Sequence, residues 1–412
     1  MAVAACRLCG AADLRPVLSL GEMPLANALL TADQLDEPEP KYPLDVAFCP
    51  ACSLVQITDA VPPETLFREY AYFSSYSETM LNHVARLVDR LIASRDLGAR
   101  SLVVEIGSND GYLLQFYQRR GIPVLGIEPA ANVARVAQET RRIPTLCAFF
   151  GQALALDLAG QGRRADVIHV HNVLAHVPDP NGFMRGLGIL LKEDGLAVIE
   201  VPYVKDLIDH CEFDTIYHEH HSYFSLTALA RLVTRHGLAI GDVERVPIHG
   251  GSLRLEVRGD GAAPAGASGP SVAALLAEEA AWGVDRLEFY ADFGRRVGTL
   301  KDSLCRLLRT LRRGGARVAA YGAAAKGATL LNYTGIGRDL VDFVVDLNPY
   351  KQGRFMPGVH VPVYPPAKLL EAMPGYLLVL AWNVAREIFD QQAEYRRRGG
   401  RLIVPVPHVA IL

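Results

Sequence analysis

The sequence lacks an excess of basic residues, a long polar tract and an apolar run of membrane-spanning length. Its 412 residues include 42 lysines and arginines against 45 aspartates and glutamates. Nucleic-acid binders concentrate positive charge to neutralise phosphates, so this balance disfavours a nucleic-acid partner and favours a small ligand. With no membrane span and no signal peptide at the N-terminus, we expect a cytoplasmic, monomeric protein without a membrane partner.

Disorder and repeat architectures are also disfavoured. Half of the residues are hydrophobic and 21% are charged, which is the composition of a chain that buries large cores. No repeat of solenoid period is visible. The length exceeds what one core usually reaches, so two or three domains are expected.

Cysteine is scarce, and four of the seven residues form two Cys-x-x-Cys pairs. In a reducing compartment this arrangement predicts a metal site rather than disulfide bonds. Four thiolates close a tetrahedral zinc site and leave no open position, so the metal is expected to be structural. A redox motif and a chance spacing are the alternatives. The predicted ligands are Cys6, Cys9, Cys49 and Cys52.

The segment that carries these cysteines ends near residue 70. It holds eight prolines and no sustained periodic apolar pattern. We therefore expect a small module that is folded by bound metal rather than by a core of its own.

A different pattern begins near residue 101, where apolar strands alternate with helical segments. Strands are predicted at 102–106, 124–127, 165–170 and 195–201. Such alternation is typical of an open parallel sheet. The segments 238–246 and 251–257, joined by a short glycine-rich link, predict an antiparallel edge.

A glycine turn follows the first of these strands and suits a nucleotide ligand. The turn Gly107-Ser-Asn-Asp-Gly111 allows a ligand to approach the backbone closely. The third glycine of a dinucleotide fingerprint is missing, and Glu128 ends the next strand, where it can accept from both ribose hydroxyls. This favours S-adenosylmethionine over NAD or an ordinary glycine turn. The predicted cofactor residues here are Glu105, Gly107, Asn109, Asp110, Gly111 and Glu128.

Other candidate ligand contacts follow the third and fourth strands. Phe149 and Phe150 lie where an adenine ring is expected to find an apolar wall, with core packing as the alternative. Asn172 and His176 lie at the carboxyl edge, where ligands of such sheets collect. A capping or loop role is the alternative for this pair.

The densest polar cluster is Tyr217-His-Glu-His-His-Ser-Tyr223. Histidine titrates near neutral pH, and a neighbouring carboxylate can orient it, which favours general acid-base chemistry. A metal site and a solvated loop are the alternatives.

The last third of the chain predicts a linker, a long helix and a second α/β unit. The linker spans 259–269, the helix 271–313, and the strands 317–321, 341–345, 377–380 and 402–404. After the first strand comes Gly322-Ala-Ala-Ala-Lys326-Gly327, and a helix starts at Ala328. Backbone donors, the helix dipole and the lysine suit an anion such as a diphosphate. The glycine spacing favours a nucleotide-sugar over a redox cofactor, and a solvated lysine is the alternative.

Six motifs occur together and in one order. They are Cys6-Arg-Leu-Cys9-Gly with Phe48-Cys49-Pro-Ala-Cys52, Glu105-Ile-Gly-Ser-Asn-Asp-Gly111, Tyr217-His-Glu-His220, His249-Gly-Gly-Ser252-Leu-Arg254, Tyr321-Gly-Ala-Ala-Ala-Lys326-Gly and Asp346-Leu-Asn-Pro-Tyr-Lys351-Gln-Gly. Over nearly the whole chain they resemble the nucleotide-sugar C-methyltransferases of antibiotic deoxysugar biosynthesis. The resemblance implies an α/β protein in four parts. These are a zinc-binding module (1–70), a central Rossmann-like methyltransferase sheet (71–258), a linker with helices (259–315) and a C-terminal α/β nucleotide-binding domain (316–412).

The resemblance also implies a substrate and a set of site residues. A dTDP-4-keto-deoxysugar is methylated on carbon, with His220 as the base and Tyr217, Glu219 and His176 around the sugar. An N-terminal tyrosine belongs to the same site, and we predict Tyr72 among the candidates Tyr70, Tyr72 and Tyr76. The residues implied for the nucleotide-sugar are His249, Ser252, Arg254, Tyr321, Lys326 and Lys351.

Methylation of carbon requires a carbanion, which forms beside a ketone as an enolate. We expect His220, oriented by Glu219, to remove the proton, and Tyr217 or His176 to donate to the oxyanion. The alternatives are an O- or N-methyltransferase that acts on a nucleotide-sugar and a non-catalytic zinc-ribbon protein that binds the ligand.

Overall fold

The computed structural model describes residues 5–67, 70, 72–259 and 269–412. These residues form three sheets of four, seven and six strands. The α/β fold class that the sequence predicts is confirmed. The predicted linker at 259–269 falls almost entirely on residues outside the described ranges.

An antiparallel sheet occupies the N-terminal region. Its strands are β1 (Arg15–Pro24), β2 (Lys41–Phe48) and β3 (Val55–Ile57), and a later strand, β9 (Ser222–Tyr223), completes it. A short helix α1 (Pro63–Phe67) and 3-10 turns at Ala32–Gln34 and Ser74–Tyr76 accompany the sheet. Since β9 pairs with β3, the middle of the chain is built into the N-terminal module.

The middle region is a seven-stranded sheet with helices on its faces. Its strands are β4 (Val103–Ile106), β5 (Val124–Ile127), β6 (Thr145–Leu146), β7 (Ala165–His171), β8 (Leu191–Pro202), β10 (Leu238–Val246) and β11 (Ser252–Gly259). Its helices are α2 (Glu78–Arg95), α3 (Leu114–Gln118), α4 (Ala131–Arg141), α5 (Gln152–Gly160), α6 (Pro180–Leu190), α7 (Val204–Asp209) and α8 (Leu226–Thr234). Five strands pair in parallel, and β11 and β10 add the antiparallel edge that the sequence predicts.

Two helices precede the third sheet. They are α9 (Pro270–Trp282) and α10 (Phe293–Arg313), where the sequence predicts a single helix. Gly283 ends α9 with φ +80°, a conformation that favours glycine, and a 3-10 turn at Leu287–Tyr290 follows. In α10 the buried Phe293, Val297, Leu300 and Leu304 recur at helical spacing, while arginines cover the other face.

The third sheet has the strand order β14-β13-β12-β15-β16-β17, with β12 (Val318–Tyr321), β13 (Val344–Val345), β14 (Val363–Tyr364), β15 (Tyr376–Val379), β16 (Arg401–Val404) and β17 (Ala410–Ile411). Its helices are α11 (Ala325–Thr334), α12 (Ala367–Ala372), α13 (Ala385–Gln391) and α14 (Ala393–Arg397). All pairs are parallel except β16 with β17. Helix α11 begins three residues before the predicted start, so Lys326 lies in its first turn.

The N-terminal module does not depend on metal alone, and this corrects the expectation from its sequence. Leu18, Leu20 and Val46 belong to one buried cluster with residues of α10 and the third sheet. The two Cys-x-x-Cys turns, which we call the knuckles, pack instead in the core of the middle sheet. The sequence of β1 does not show a regular apolar alternation, because two irregularities in its pairing with β2 shift the side chains from one face to the other.

Within the described part of the chain, no helix combines the length and the apolar character that a bilayer crossing requires.

Candidate active site

The four paired cysteines converge on one point. Their sulfur atoms all lie within 4.8 Å of one another, with Cys6 Sγ 3.4 Å from Cys52 Sγ and Cys9 Sγ 3.5 Å from Cys49 Sγ. In a tetrahedral zinc–thiolate site with bonds of about 2.3 Å, the sulfurs are about 3.8 Å apart. The residues therefore fit a closed zinc site, and none of the four lines the cavity described next.

A cavity of about 720 Å³ lies where the three regions meet. Asn27 and Tyr70 enter it from the N-terminal region, His220 from the middle region and Lys326 from the C-terminal region. Its size lies within the range of small-molecule and cofactor sites.

The glycine turn after β4 forms part of the wall. Gly107 has φ +67°, and a Cβ there would lie 2.3 Å from Cγ2 of Val173, so a side chain does not fit. Gly107 and Asn109 line the cavity, whereas Glu105, Asp110 and Gly111 do not.

Glu105 and Asp110 support the turn from behind. The Glu105 carboxyl is fully buried without a hydrogen-bond partner among the described residues, and burial raises its pKa well above the usual range. Asp110 forms an ion pair with Arg141 at 3.2 Å. Both predicted residues thus lie outside the reach of a ligand in the cavity.

Glu128 follows β5 and lines the cavity. Its carboxylate accepts hydrogen bonds from the backbone N–H groups of Asn109 (2.9 Å) and Ala130 (2.8 Å). Burial raises the pKa of Glu128 to about 7. The side chain therefore shapes the glycine turn as well as facing the cavity.

Phe149, Phe150 and Asn172 also line the cavity. Phe149 is 48% exposed, and the Phe150 ring packs edge-on against Phe183 at 5.2 Å. Asn172 adopts φ +56°, and its backbone N–H donates to the carbonyl of Glu200. All three residues that the sequence predicts for the cofactor after the third and fourth strands therefore line the cavity.

His220 has both ring nitrogens engaged. Its Nδ1 lies 2.7 Å from the carbonyl oxygen of Thr215, which can only accept, so Nδ1 carries the proton. Its Nε2 then accepts from the hydroxyl of Tyr217 at 2.9 Å. Burial lowers the pKa of His220 well below the usual range. The ring is therefore neutral at neutral pH, with its basic nitrogen toward Tyr217.

The ring of His176 also lies beside that of His220. The ring centroids lie 4.6 Å apart with the planes at 70°. Burial lowers the pKa of His176 to about 4, so this histidine is neutral as well. Both histidines line the cavity.

The expectation that Glu219 orients His220 is wrong. The Glu219 carboxylate accepts from Asn27 Nδ2 (2.7 Å) and from the hydroxyl of Tyr70 (3.3 Å), and the orienting group is the Thr215 carbonyl. A turn between Tyr217 and His220 leads these adjacent side chains to different partners. Burial raises the pKa of Glu219 to about 7.

The three candidate tyrosines differ in their surroundings. Tyr70 and Tyr72 line the cavity, with ring centroids 6.3 Å apart, whereas Tyr76 does not. Tyr70 reaches the polar cluster through Glu219. The predicted Tyr72 is held through its carbonyl, which accepts from Asn109 Nδ2 at 3.1 Å.

Two lysines reach the cavity from the third sheet. Lys326 Nζ donates to Asn383 Oδ1 at 2.9 Å and lies 4.6 Å from the centre of the Trp382 ring. Lys351 Nζ donates to the carbonyl of Ala323 at 2.8 Å. These two ammonium groups, with the N-terminus of α11, place hydrogen-bond donors on the C-terminal wall.

Of the other predicted substrate residues, only His249 lines the cavity. Ser252 Oγ donates to the Ile248 carbonyl, and the Tyr321 hydroxyl donates to Gln391. Arg254 is engaged by Glu200 at 2.6 Å and Glu244 at 2.9 Å. These three side chains support the fold around the site instead of lining it.

Several cavity residues escape sequence reasoning. Asn27 and Phe67 are isolated in an irregular stretch, and Thr215 acts through its backbone carbonyl, which no side-chain motif reveals. Asn383 follows the carboxyl end of β15 shortly after Trp382. The rule that ligands collect at the carboxyl ends of parallel strands could have identified this pair.

Family models match three successive parts of the chain. Residues 6–67 match a "Putative zinc binding domain", residues 76–242 a "Methyltransferase domain", and residues 247–407 a "C-methyltransferase C-terminal domain". C-methyltransferase NovU of Streptomyces niveus is 37% identical over 410 residues, which cover 99% of this chain and 96% of that protein. The chain belongs to this C-methyltransferase family. The resemblance found in the motifs is confirmed to that extent.

Other relatives match only part of this C-methyltransferase. A ubiquinone biosynthesis O-methyltransferase of Azorhizobium caulinodans is 29% identical over 97 residues, 24% of this chain and 38% of that protein. One from Acinetobacter baylyi is 27% identical over 167 residues, 34% of this chain and 64% of that protein. The enzyme is thus a methyltransferase that depends on S-adenosylmethionine, with four cysteines positioned for a structural zinc ion.

Proposed function

We propose that this C-methyltransferase methylates the carbon beside the ketone of a nucleotide-linked keto-deoxysugar, in its dTDP form, for antibiotic or deoxysugar biosynthesis. The observation that carries the proposal is a neutral histidine base, His220, in one cavity with the cations Lys326 and Lys351. A base suits the removal of a proton from carbon, and the cations suit a diphosphate. S-adenosylmethionine, when bound, supplies an electrophilic methyl group.

His220 is prepared for proton removal by its tautomer. The Thr215 carbonyl keeps the proton on Nδ1, so the lone pair of Nε2 is the basic site. As Nε2 takes the proton from carbon, the ring becomes a cation that Thr215 continues to stabilise. The lowered pKa keeps the basic form available throughout the neutral range.

Tyr217 is the best-placed donor for the enolate oxygen. Its hydroxyl already donates to Nε2 of His220 at 2.9 Å. When the C–H group of a substrate replaces the hydroxyl beside that nitrogen, the hydroxyl is free to turn to the neighbouring ketone oxygen. His176 is the second candidate, because its ring lies in the same cavity with its centroid 4.6 Å from that of His220.

Glu128 is assigned to the ribose of S-adenosylmethionine, with Phe149 and Phe150 beside the adenine and Asn172 near the reacting end. Glu128→Ala is expected to weaken S-adenosylmethionine binding at least about tenfold, because each charge-assisted hydrogen bond contributes roughly 1.5–3 kcal/mol. Glu128→Gln retains one carbonyl acceptor, so its affinity for S-adenosylmethionine should lie between those of the wild type and Glu128→Ala. Calorimetry gives the affinities.

A control and a pH series sharpen this prediction. Glu139→Ala alters an exposed glutamate on α4 and should leave the affinity unchanged. Hydroxyl donors favour the ionised carboxylate, and burial raises the pKa of Glu128 to about 7. Wild-type affinity should therefore increase as pH rises through neutrality. Equal affinities for wild type and Glu128→Ala would contradict the assignment.

Lys326 and Lys351 are assigned to the diphosphate. Lys326→Ala is expected to raise the KM for the nucleotide-sugar and to leave the KM for S-adenosylmethionine nearly unchanged, because the lysine lies on the C-terminal wall. Initial-rate kinetics with each substrate varied in turn measure both. Lys368→Ala removes a surface lysine paired with Glu371 in the same region and serves as the control. An equal rise in both KM values would indicate a disturbed fold.

The proposed reaction is tested with labelled S-adenosylmethionine and a panel of dTDP-4-keto sugars. NMR of the product locates the new methyl group, which is expected on carbon next to the ketone. A substrate with its keto group reduced should not react, because no enolate can form. Turnover of that substrate, or a methyl group on oxygen or nitrogen, would favour the O- or N-methyltransferase alternative. Binding of S-adenosylmethionine without any turnover would favour the non-catalytic zinc-ribbon protein.

A further inference from the structure

A short turn links the base to the C-terminal wall. The 3-10 turn Phe213–Thr215 carries the carbonyl that holds His220 Nδ1. Asp214, the middle residue of this turn, is fully buried, and its Oδ2 accepts from the indole N–H of Trp382 at 2.7 Å. Because Trp382 belongs to the third sheet region, this hydrogen bond joins the two regions beside the base.

The same indole ring also holds the anion-binding lysine. Lys326 Nζ lies 4.6 Å from the ring centre, at cation–π distance, and donates to the neighbouring Asn383. One side chain thus contacts the ammonium of Lys326 with its face and the carboxyl of Asp214 with its edge. A second contact braces the turn, since the Phe213 ring packs 5.2 Å from that of Tyr333 in α11, the helix that carries Lys326.

We propose that Trp382 is a positioning residue that sets the base His220 and the anion-binding Lys326 in one geometry, through Asp214 and the Thr215 carbonyl. The inference rests on the proposed function, because it takes His220 as the base and Lys326 as the diphosphate site. A substrate whose diphosphate engages Lys326 then presents its sugar carbon to Nε2. Binding energy from the remote nucleotide is thereby used in the chemical step.

Electrostatics support the same coupling. Burial raises the pKa of Asp214 to about 6, against the influence of Lys326 and the indole N–H, which lower it. Lys326 in turn contributes to the lowered pKa of His220. An anion that offsets the lysine charge should therefore make His220 a stronger base when the substrate is in place.

The first test uses the ligand-free, full-length protein. In nitrogen-15 NMR of the histidine rings, with the His220 signals identified by their loss in His220→Asn, the wild type should show the Nδ1–H tautomer. Trp382→Phe keeps the ring over Lys326 but loses the N–H, and should give a mixture of tautomers. The control is Trp282→Phe, which changes the only other tryptophan of the sequence. The Trp282 ring lies under Lys205 and does not line the cavity. An unchanged His220 tautomer in Trp382→Phe would overturn the proposal.

The second test measures deuterium exchange at the substrate carbon, with S-adenosylhomocysteine in place of the methyl donor. Trp382→Phe should lower the kcat of exchange by roughly 10-fold to 100-fold, the cost of a misplaced group, with the KM for the nucleotide-sugar little changed. Asp214→Asn, which retains an oxygen acceptor for the indole, should retain more activity than Asp214→Ala. Zinc content and S-adenosylmethionine affinity report whether each variant is folded.

The outcomes separate this inference from the proposed function. A raised KM with unchanged kcat in Trp382→Phe would make the indole a mere wall of the anion site and overturn the coupling. Absence of exchange in the wild type with every keto sugar would instead refute the proposed function. In that case the tautomer measurement still decides whether Trp382 positions His220.

Discussion

His220→Asn is expected to lose deuterium exchange and methylation together, each by roughly the 10²–10⁴-fold that general acid-base catalysis contributes. In deuterium oxide, with a 4-keto sugar nucleotide and S-adenosylhomocysteine, the wild type should exchange the proton at the carbon destined for methylation. The asparagine lacks a basic nitrogen where Nε2 lies, so enolate formation slows by that factor. NMR follows the loss of the proton signal.

Binding should survive this substitution, because Lys326 and Glu128, which are assigned to the ligands, are unaltered. Calorimetry with each ligand checks this point, and His408→Asn, at an exposed histidine, is the matched control. If the variant exchanges deuterium at the wild-type rate yet fails to methylate, His220 is not the base. His176 and Tyr217 would then be the remaining candidates for proton removal.

The second large effect concerns the zinc site. The purified chain is expected to carry about one zinc ion bound through four thiolates, and Cys49→Ser should lose it. Structural zinc contributes roughly 10–16 kcal/mol to the folding of zinc-finger peptides, so the N-terminal module should unfold first. Elemental analysis and limited proteolysis within residues 5–67 measure these effects.

The consequences of zinc loss should reach the active site indirectly. The module supplies Asn27 and Tyr70, which hold Glu219, so methylation should fall while S-adenosylmethionine still binds the middle sheet. Cys147→Ser changes an exposed cysteine outside the four-cysteine set and should retain zinc. A metal-free chain with a Cys6–Cys9 disulfide would refute the zinc prediction.

The shared core moderates the expected unfolding. Strands of the module pack against α10 and the third sheet, and β3 pairs with β9. Loss of metal should therefore loosen the knuckles, which lie in the core of the middle sheet, before it releases β1 and β2. Proteolytic cuts should appear first near Cys6 and Cys49.

The sequence by itself determined the features that are encoded within a few residues. The Cys-x-x-Cys spacing specifies the turns that point two sulfurs the same way, and Gly107 marks a backbone conformation that rejects a side chain. Strand, glycine turn and helix in succession predicted both parallel sheets. Each depends on local backbone geometry or on hydrophobic periodicity, which a single segment carries.

Only the tertiary structure decided which distant side chains meet. Asn27 and Glu219 are 192 positions apart, and Trp382 and Asp214 are 168 apart. Adjacency in the sequence suggested that Glu219 orients His220, whereas the fold gives that role to the backbone of Thr215. The same motif series placed Arg254 and Tyr321 with the substrate, yet they bond to other protein groups. Such pairings depend on how whole sheets and helices pack, and local periodicity does not record that packing.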